Sequence, residues 1–188
     1  MKELLVYDLQ CSKIIMCFAV SPGRNFSRNE LREHTMLSNV TLDTALKKLI
    51  YSGIIKKYKR SISLDLENEI TEKTIDEFKK TYIHLKKIPL KVIISLIDIT
   101  DFSAKTKGIE MFLFGSYAKL IYNENSDVDL CVLYDDDIDM KKLREFAKNS
   151  GKKIQKKIEF HFFRKNDFYK NSKDAFVKEV LKNGIRIL

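Results

Sequence analysis

Residues 113–133 read LFGSYAKLIYNENSDVDLCVL, and the rest of the chain is organised around them. An apolar run over residues 111–114 ends in Gly115-Ser116. A short helix-compatible segment follows, then a polar turn over 123–126, then Asp127-Val128-Asp129 at the head of a second apolar run. Side chains alternate across a strand, so Asp127 and Asp129 point the same way and can share a hard divalent cation. Glycine lets backbone approach a ligand closely, and Ser116 adds a hydroxyl at a strand-to-helix turn, where free N–H groups favour anions. Phosphate and metal chemistry are thus written on one short stretch.

From Gly115 to Leu130 the residues make a compound pattern, Gly-Ser, Ala-Lys one residue on, then Ser-Asp, Asp and Leu. It resembles the nucleotidyltransferases of the DNA polymerase β superfamily, which carry a Gly-Ser pair after the first strand of their sheet and an Asp-x-Asp on the next. One position departs: Leu120 stands where that family usually has glycine. The resemblance covers roughly residues 90–188 and implies an α/β (α+β) domain with a mixed sheet flanked by helices. It implies transfer of a nucleoside monophosphate from a nucleoside triphosphate, ATP foremost, to a hydroxyl acceptor. Asp127 and Asp129 would be catalytic and hold Mg²⁺, with room for two ions roughly 3.5–4 Å apart. Gly115, Ser116, Lys119 and Ser126 would bind the nucleotide.

Family members place a third acid on a later strand. The candidate strand is KIEFHFF, residues 157–163, expected after a helix that Gly151 stops. Alternation puts Glu159, His161 and Phe163 on one face and Ile158, Phe160 and Phe162 on the other. Glu159 is the natural third catalytic acid, with His161 as a neighbour; the family residue is usually Asp. The competing reading is a Glu solvated on a strand edge and a histidine in a polar cluster. The acidic run Asp135-Asp136-Asp137, with Asp139, precedes a helix at 140–149 and suits its N-terminus. A helix over 173–182, stopped at Asn183-Gly184, leads to a short apolar strand at 185–188.

Before this domain the order of elements changes. Residues 1–9 read either as a short strand or as a lead-in, and residues 10–20 as a buried helix stopped by Ser21-Pro22-Gly23. Ser27-Arg28-Asn29-Glu30 has capping-box spacing and opens a short helix. Ser38 or Asn39 caps the next, with Leu42, Ala45, Leu46, Leu49 and Ile50 at helical spacing and Gly53 as its stop. Apolar runs at 54–58 and 62–66, separated by Lys59-Arg60-Ser61, read as a hairpin. This order resembles a winged helix-turn-helix, which implies that Asn39, Thr41, Thr44 and Lys48 face nucleic-acid bases or phosphates. Lys56, Lys57, Lys59 and Arg60 would line the wing. The alternative is a protein-interaction module whose basic residues solvate an exposed edge.

Residues 70–84 pattern as an amphipathic helix, with His84 read as structural. Residues 90–102 are apolar enough for a second helix, with β-branching leaving a strand open. The expected division is a winged domain at 1–68, a linker helix or homodimer surface at 69–88, and the transferase-like domain at 89–188. The net charge of +9 is diffuse: residues 1–88 carry 16 basic and 11 acidic side chains, residues 89–188 carry 19 and 15. It favours polyanionic partners, DNA or RNA among them, without a basic arm. No apolar run has the length of a membrane span. Cys11, Cys17 and Cys131 form no ligand or redox spacing, which points to a cytoplasmic protein. Two functional classes follow: a transferase acting on a hydroxyl acceptor, a protein included, or a DNA-binding regulator whose transferase fold senses nucleotide or is degenerate.

Overall fold

The structure is a computed structural model and describes residues 8–85, 87–135 and 138–188. Most of the 1–9 lead-in lies outside the described residues, as do Asp136, Asp137 and the side chain of Tyr82. The chain divides into two compact units, Met1–Ile94 and Ser95–Leu188.

In the first unit, helix α1 (Leu9–Val20) starts on Asp8, whose carboxylate accepts the Gln10 N–H at 2.9 Å. Its residues Ile14, Ile15 and Phe18 are fully buried, because helices pack on several of its sides. Those are α2 (Arg28–Thr35), α3 (Asn39–Tyr51) and α4 (Glu69–Tyr82). The capping box forms: Ser27 Oγ accepts the Glu30 N–H at 3.2 Å, and Glu30 Oε2 accepts the Ser27 N–H at 2.7 Å. Ser38, not Asn39, caps α3 by accepting the Thr41 N–H at 3.2 Å. Strands β2 (Ile55–Tyr58) and β3 (Ser61–Leu64) make the hairpin. Its turn is two residues, Lys59-Arg60, one shorter than expected, with Lys59 at φ +54°. Strand β1 (Phe26–Ser27) was not anticipated; two residues leave no alternation to read. It pairs with β3, and the sheet order is β1-β3-β2. A single 3₁₀ turn (Ile83–Leu85) follows α4.

Helix α5 (Leu90–Ala104) runs as a helix despite its β-branched residues. The second unit then alternates strands with short helices: β4 (Ile109–Phe114), α6 (Gly115–Ala118), β5 (Val128–Tyr134), α7 (Met140–Ile154), β6 (Ile158–Arg164), α8 (Lys165–Lys170), α9 (Ala175–Asn183) and β7 (Ile185–Arg186). Its sheet has the order β6-β5-β4-β7. The β5–β6 pair is parallel and the others are antiparallel, so the sheet is mixed. The parallel pair needs a long crossover, which α7 supplies. On one face Phe112, Phe114, Cys131 and Leu133 form a core with Phe168, Val177 and Val180 from α8 and α9. On the other, Leu113, Val128, Leu130 and Val132 are fully buried.

Gly151 does not stop α7, which continues to Ile154 and ends with Gln155 at φ +55°. The glycine serves the returning chain instead: a Cβ there would lie 2.4 Å from the Lys156 carbonyl oxygen. Asp139 caps α7, accepting the Lys142 N–H at 2.9 Å, whereas Asp135 pairs with Lys165 at 2.8 Å. Helix α8 was not anticipated, since the expected helix starts only at residue 173. Among the described residues no helix is long and apolar enough to cross a membrane. The three cysteines are buried free thiols.

Candidate active site

The site forms where β4 ends and β5 and β6 begin. Antiparallel register sets Phe114 opposite Asp129, and parallel register sets Asp129 beside Glu159 and Cys131 beside His161. Because successive residues alternate faces, Asp129, Glu159 and His161 emerge on one face of the sheet. One ligand atom from each lies within 4.8 Å of the others. Donors bound to one cation at about 2.0–2.2 Å are at most about 4.4 Å apart, so a few tenths of an ångström of movement suffices. The donor set therefore fits a divalent ion.

Gly115 is required here twice over. Its φ of +69° is left-handed, and a Cβ would sit 2.4 Å from Asp129 Oδ2. Any side chain at 115 would push the carboxylate out of the cluster. Helix α6 then closes with the Leu120 N–H donating to the Tyr117 carbonyl and the Ile121 N–H to the Ser116 carbonyl, at 3.3 and 3.0 Å. These are the two bonds of a Schellman ending, whose terminal residue favours glycine. Leu120 occupies that residue at φ +59°. The glycine expected at this position is thus a matter of backbone conformation at the end of α6.

The electrostatics are strained at Asp129 and relieved at Glu159. Burial pushes the Asp129 carboxyl above the ordinary carboxylate range, and neighbouring Glu159 and Asp127 add to it, while His161 and Lys157 oppose. Lys157 hydrogen-bonds Glu159 and so holds that carboxyl below its ordinary value. The same ammonium lies 3.6 Å from Asp127 Oδ2 and is itself raised, first by its bond to Glu159. Asp127 sits one residue before β5 and outside the three-residue cluster. Beside them a cleft of about 290 Å³ is lined by Arg144, Lys157, Glu159 and His161 among others. Arg144 lies 4.8 Å over the Phe162 ring and donates to the Phe160 carbonyl at 3.3 Å.

The remaining residues expected around the nucleotide are placed as follows. Ser116 is half-buried in the first turn of α6. Lys119 pairs with Glu179 at 2.5 Å. Ser126 Oγ accepts the Asn123 N–H at 2.9 Å and so shapes the loop before β5. Lys157 and Arg144 were missed. Lys157 was legible in principle, since it continues the Glu159–His161 alternation by one step; Arg144 on α7 carries no local signal.

In the first unit, the residues of α3 expected to meet nucleic acid are engaged within the protein. Arg28 grips Asp43 through two contacts of 2.7 and 2.9 Å and donates to Asn39 Oδ1 at 3.1 Å. Thr41 shares a hydrogen bond with Ser38 at 2.8 Å, Thr44 Oγ1 donates to the Val40 carbonyl at 2.9 Å, and Lys48 pairs with Asp8 at 2.5 Å. On the hairpin Lys56, Lys57, Lys59 and Arg60 are all exposed; Lys56 reaches Asp65 at 3.4 Å and Lys59 lies 5.4 Å over the Tyr58 ring.

Compared with known families, residues 93–187 match the family model described as a nucleotidyltransferase domain. No curated protein and no solved structure matches the chain.

Proposed function

Because the chain belongs to the nucleotidyltransferase-domain family, we propose that its C-terminal domain, residues 89–188, transfers a nucleoside monophosphate from a nucleoside triphosphate, ATP foremost, to a hydroxyl acceptor. The observation that carries this is the convergence of Asp129, Glu159 and His161 beside Gly115, within 4.8 Å of one another. Asp127 and Asp129 are the proposed ligands of Mg²⁺, with space for two ions. When bound, the metal neutralises the triphosphate and lowers the pKa of the attacking hydroxyl.

The chain's own residues do the rest. The backbone N–H groups that open α6, together with the Ser116 hydroxyl, hold phosphate oxygens, because the first turn of a helix leaves donors unpaired. Lys119 joins them by leaving Glu179. Ser126, whose oxygen is taken by Asn123, has its hydroxyl proton to donate. Glu159 completes the acid set, as a ligand or as the base that takes the acceptor's proton. The acceptor oxygen bonds to the α-phosphorus as the bond to pyrophosphate breaks. Thermal unfolding tests the reading: Mg²⁺-ATP should raise the melting temperature, and Asp127→Ala with Asp129→Ala should abolish that rise. No shift with any triphosphate would contradict it.

Residues 1–68 are proposed to be a winged helix-turn-helix, with 69–88 as linker helix. The element order and the β1-β3-β2 sheet support that reading. Nucleic acid, DNA or RNA, would meet α3 through Asn39, Thr41, Thr44 and Lys48, and the wing through Lys56, Lys57, Lys59 and Arg60. A second reading, a DNA-binding regulator whose transferase fold only senses nucleotide, is favoured by one observation: Lys157 already supplies a cation to Glu159 and Asp127. Nucleotide binding with no transfer to any acceptor would select it.

A further inference from the structure

We propose that His161 is itself a metal ligand, which makes this a mixed nitrogen–oxygen site selective for a first-row divalent transition ion over Mg²⁺. The inference rests on the proposed metal-nucleotide site and deepens it. Three observations lead there. An imidazole nitrogen lies within 4.8 Å of ligand oxygens from both Asp129 and Glu159. The parallel register carries the histidine on the same face as the two acids, one step further along β6. Its ring is also held by packing. Phe114 meets it edge-on, with centroids 5.2 Å apart at 74°, and Phe176 lies 5.6 Å away at 39°. With Phe114 and Phe176 against the ring, the nitrogen edge is what the histidine offers to the carboxylates.

The chemistry of the donors then decides the ion. Mg²⁺ prefers an all-oxygen shell and gives up water reluctantly, whereas imidazole suits the later transition ions, iron to zinc. Mn²⁺ takes nitrogen as well as oxygen ligands, and as a paramagnetic ion it reports a directly bound nitrogen. Two other uses of His161 fit less well. Stacking on a nucleobase needs a ring face, and Phe114 and Phe176 already pack around the ring. A structural hydrogen bond would call for one carboxylate, whereas two converge on the imidazole.

The test uses the full-length, tag-free chain with Mn²⁺ in nitrogen-free buffer and no nucleotide. Electron spin-echo spectroscopy of the bound ion should show coupling to a directly bound ¹⁴N, and calorimetry gives Mn²⁺ and Mg²⁺ affinities separately. His161→Phe preserves the aromatic packing and removes the nitrogen; His161→Ala is the comparison. Both should lose the ¹⁴N coupling and about tenfold or more in Mn²⁺ affinity, with Mg²⁺ affinity changed by less than about twofold. Bound Mn²⁺ without nitrogen coupling, equal Mn²⁺ affinity in the wild type and His161→Phe, or no Mn²⁺ binding at all would each overturn the inference. Mg²⁺-ATP stabilisation of the wild type separates the two levels. If it persists while nitrogen coupling is absent, only the ligand assignment falls; if it is absent too, the nucleotide site falls with it.

Discussion

Charge is handled in opposite ways around α3 and around the site beside Gly115. In the N-terminal unit, charged groups on and around α3 are paired off: Arg28 grips Asp43, Lys48 meets Asp8, and Arg24 meets Glu30 at 2.9 Å. In the C-terminal unit Asp129 and Glu159 are brought side by side, with Asp127 close behind; burial foremost, and then these neighbours, raise the Asp129 carboxyl. Lys157 and His161 offset them in part, the lysine from an exposed position where an ion pair contributes little. Surfaces that satisfy their own charges are stable as they stand. A half-buried cluster of like charge costs stability and is relieved by a cation, which is the pattern expected of a site awaiting a ligand.

The largest expected effect breaks the C-terminal side of this contrast. Asp129→Asn should reduce nucleotidyl transfer by about 10³-fold, because a lost metal ligand forfeits several kcal/mol of transition-state stabilisation. The same change should raise the melting temperature of the metal-free protein by about 2 °C at neutral pH. The sign follows from the direction of the shift. A carboxyl raised in the folded state binds its proton more tightly there, so its ionised form costs stability above the ordinary carboxylate range. A metal-free protein that melts lower with asparagine would show that the cluster is not strained.

On the N-terminal side, nucleic-acid binding should depend on the wing more than on α3. Fluorescence anisotropy with a DNA duplex should show the salt slope falling by roughly 2–3 when Lys57, Lys59 and Arg60 are all replaced by alanine. Lys48→Ala should change it by less than about 1, because Asp8 already neutralises that ammonium. Equal effects would mean that α3 is freer than its pairing indicates, and no binding to DNA or RNA would remove the nucleic-acid reading.

A smaller effect sharpens the contrast with pH. Glu30 is lowered to about 2, first by its bonds within the capping box and then by Arg24. A depressed carboxyl adds stability above its unfolded value and loses it as pH falls through that value towards 2. Glu30→Gln should therefore melt lower than the wild type at pH 6 and converge with it near pH 2. The smallest effect concerns Leu120. Leu120→Gly relieves a left-handed residue but adds freedom to the unfolded chain, for a net change under about 1 kcal/mol. Triphosphate affinity, measured by calorimetry, should stay within about twofold.

How much of this was legible follows from what local pattern can encode. The alternation in KIEFHFF placed Glu159 and His161 on one face, and the Gly115–Leu130 pattern pointed to the family that residues 93–187 match. The capping box at Ser27 was equally plain, since its partners are three residues apart. What could not be read is the parallel register that sets Asp129 beside Glu159, because no local pattern records which residues pair across strands. Gly151 misled for a related reason: its neighbour in space, the Lys156 carbonyl, comes from chain that has not yet turned back. Lys157 shares the alternation of Glu159 and His161, but only the fold brings Asp127 within its reach.

The central claim is that the acid cluster beside Gly115 transfers a nucleotidyl group, and the position of the label in a triphosphate tests it most directly. The protein, divalent metal and a cell extract are incubated with ATP labelled at either the α- or the γ-phosphate. The α-label should pass to an acceptor with release of pyrophosphate, the γ-label should not, and Asp129→Asn should abolish the transfer. Transfer of the γ-label, or α-transfer unchanged in Asp129→Asn, would contradict the account.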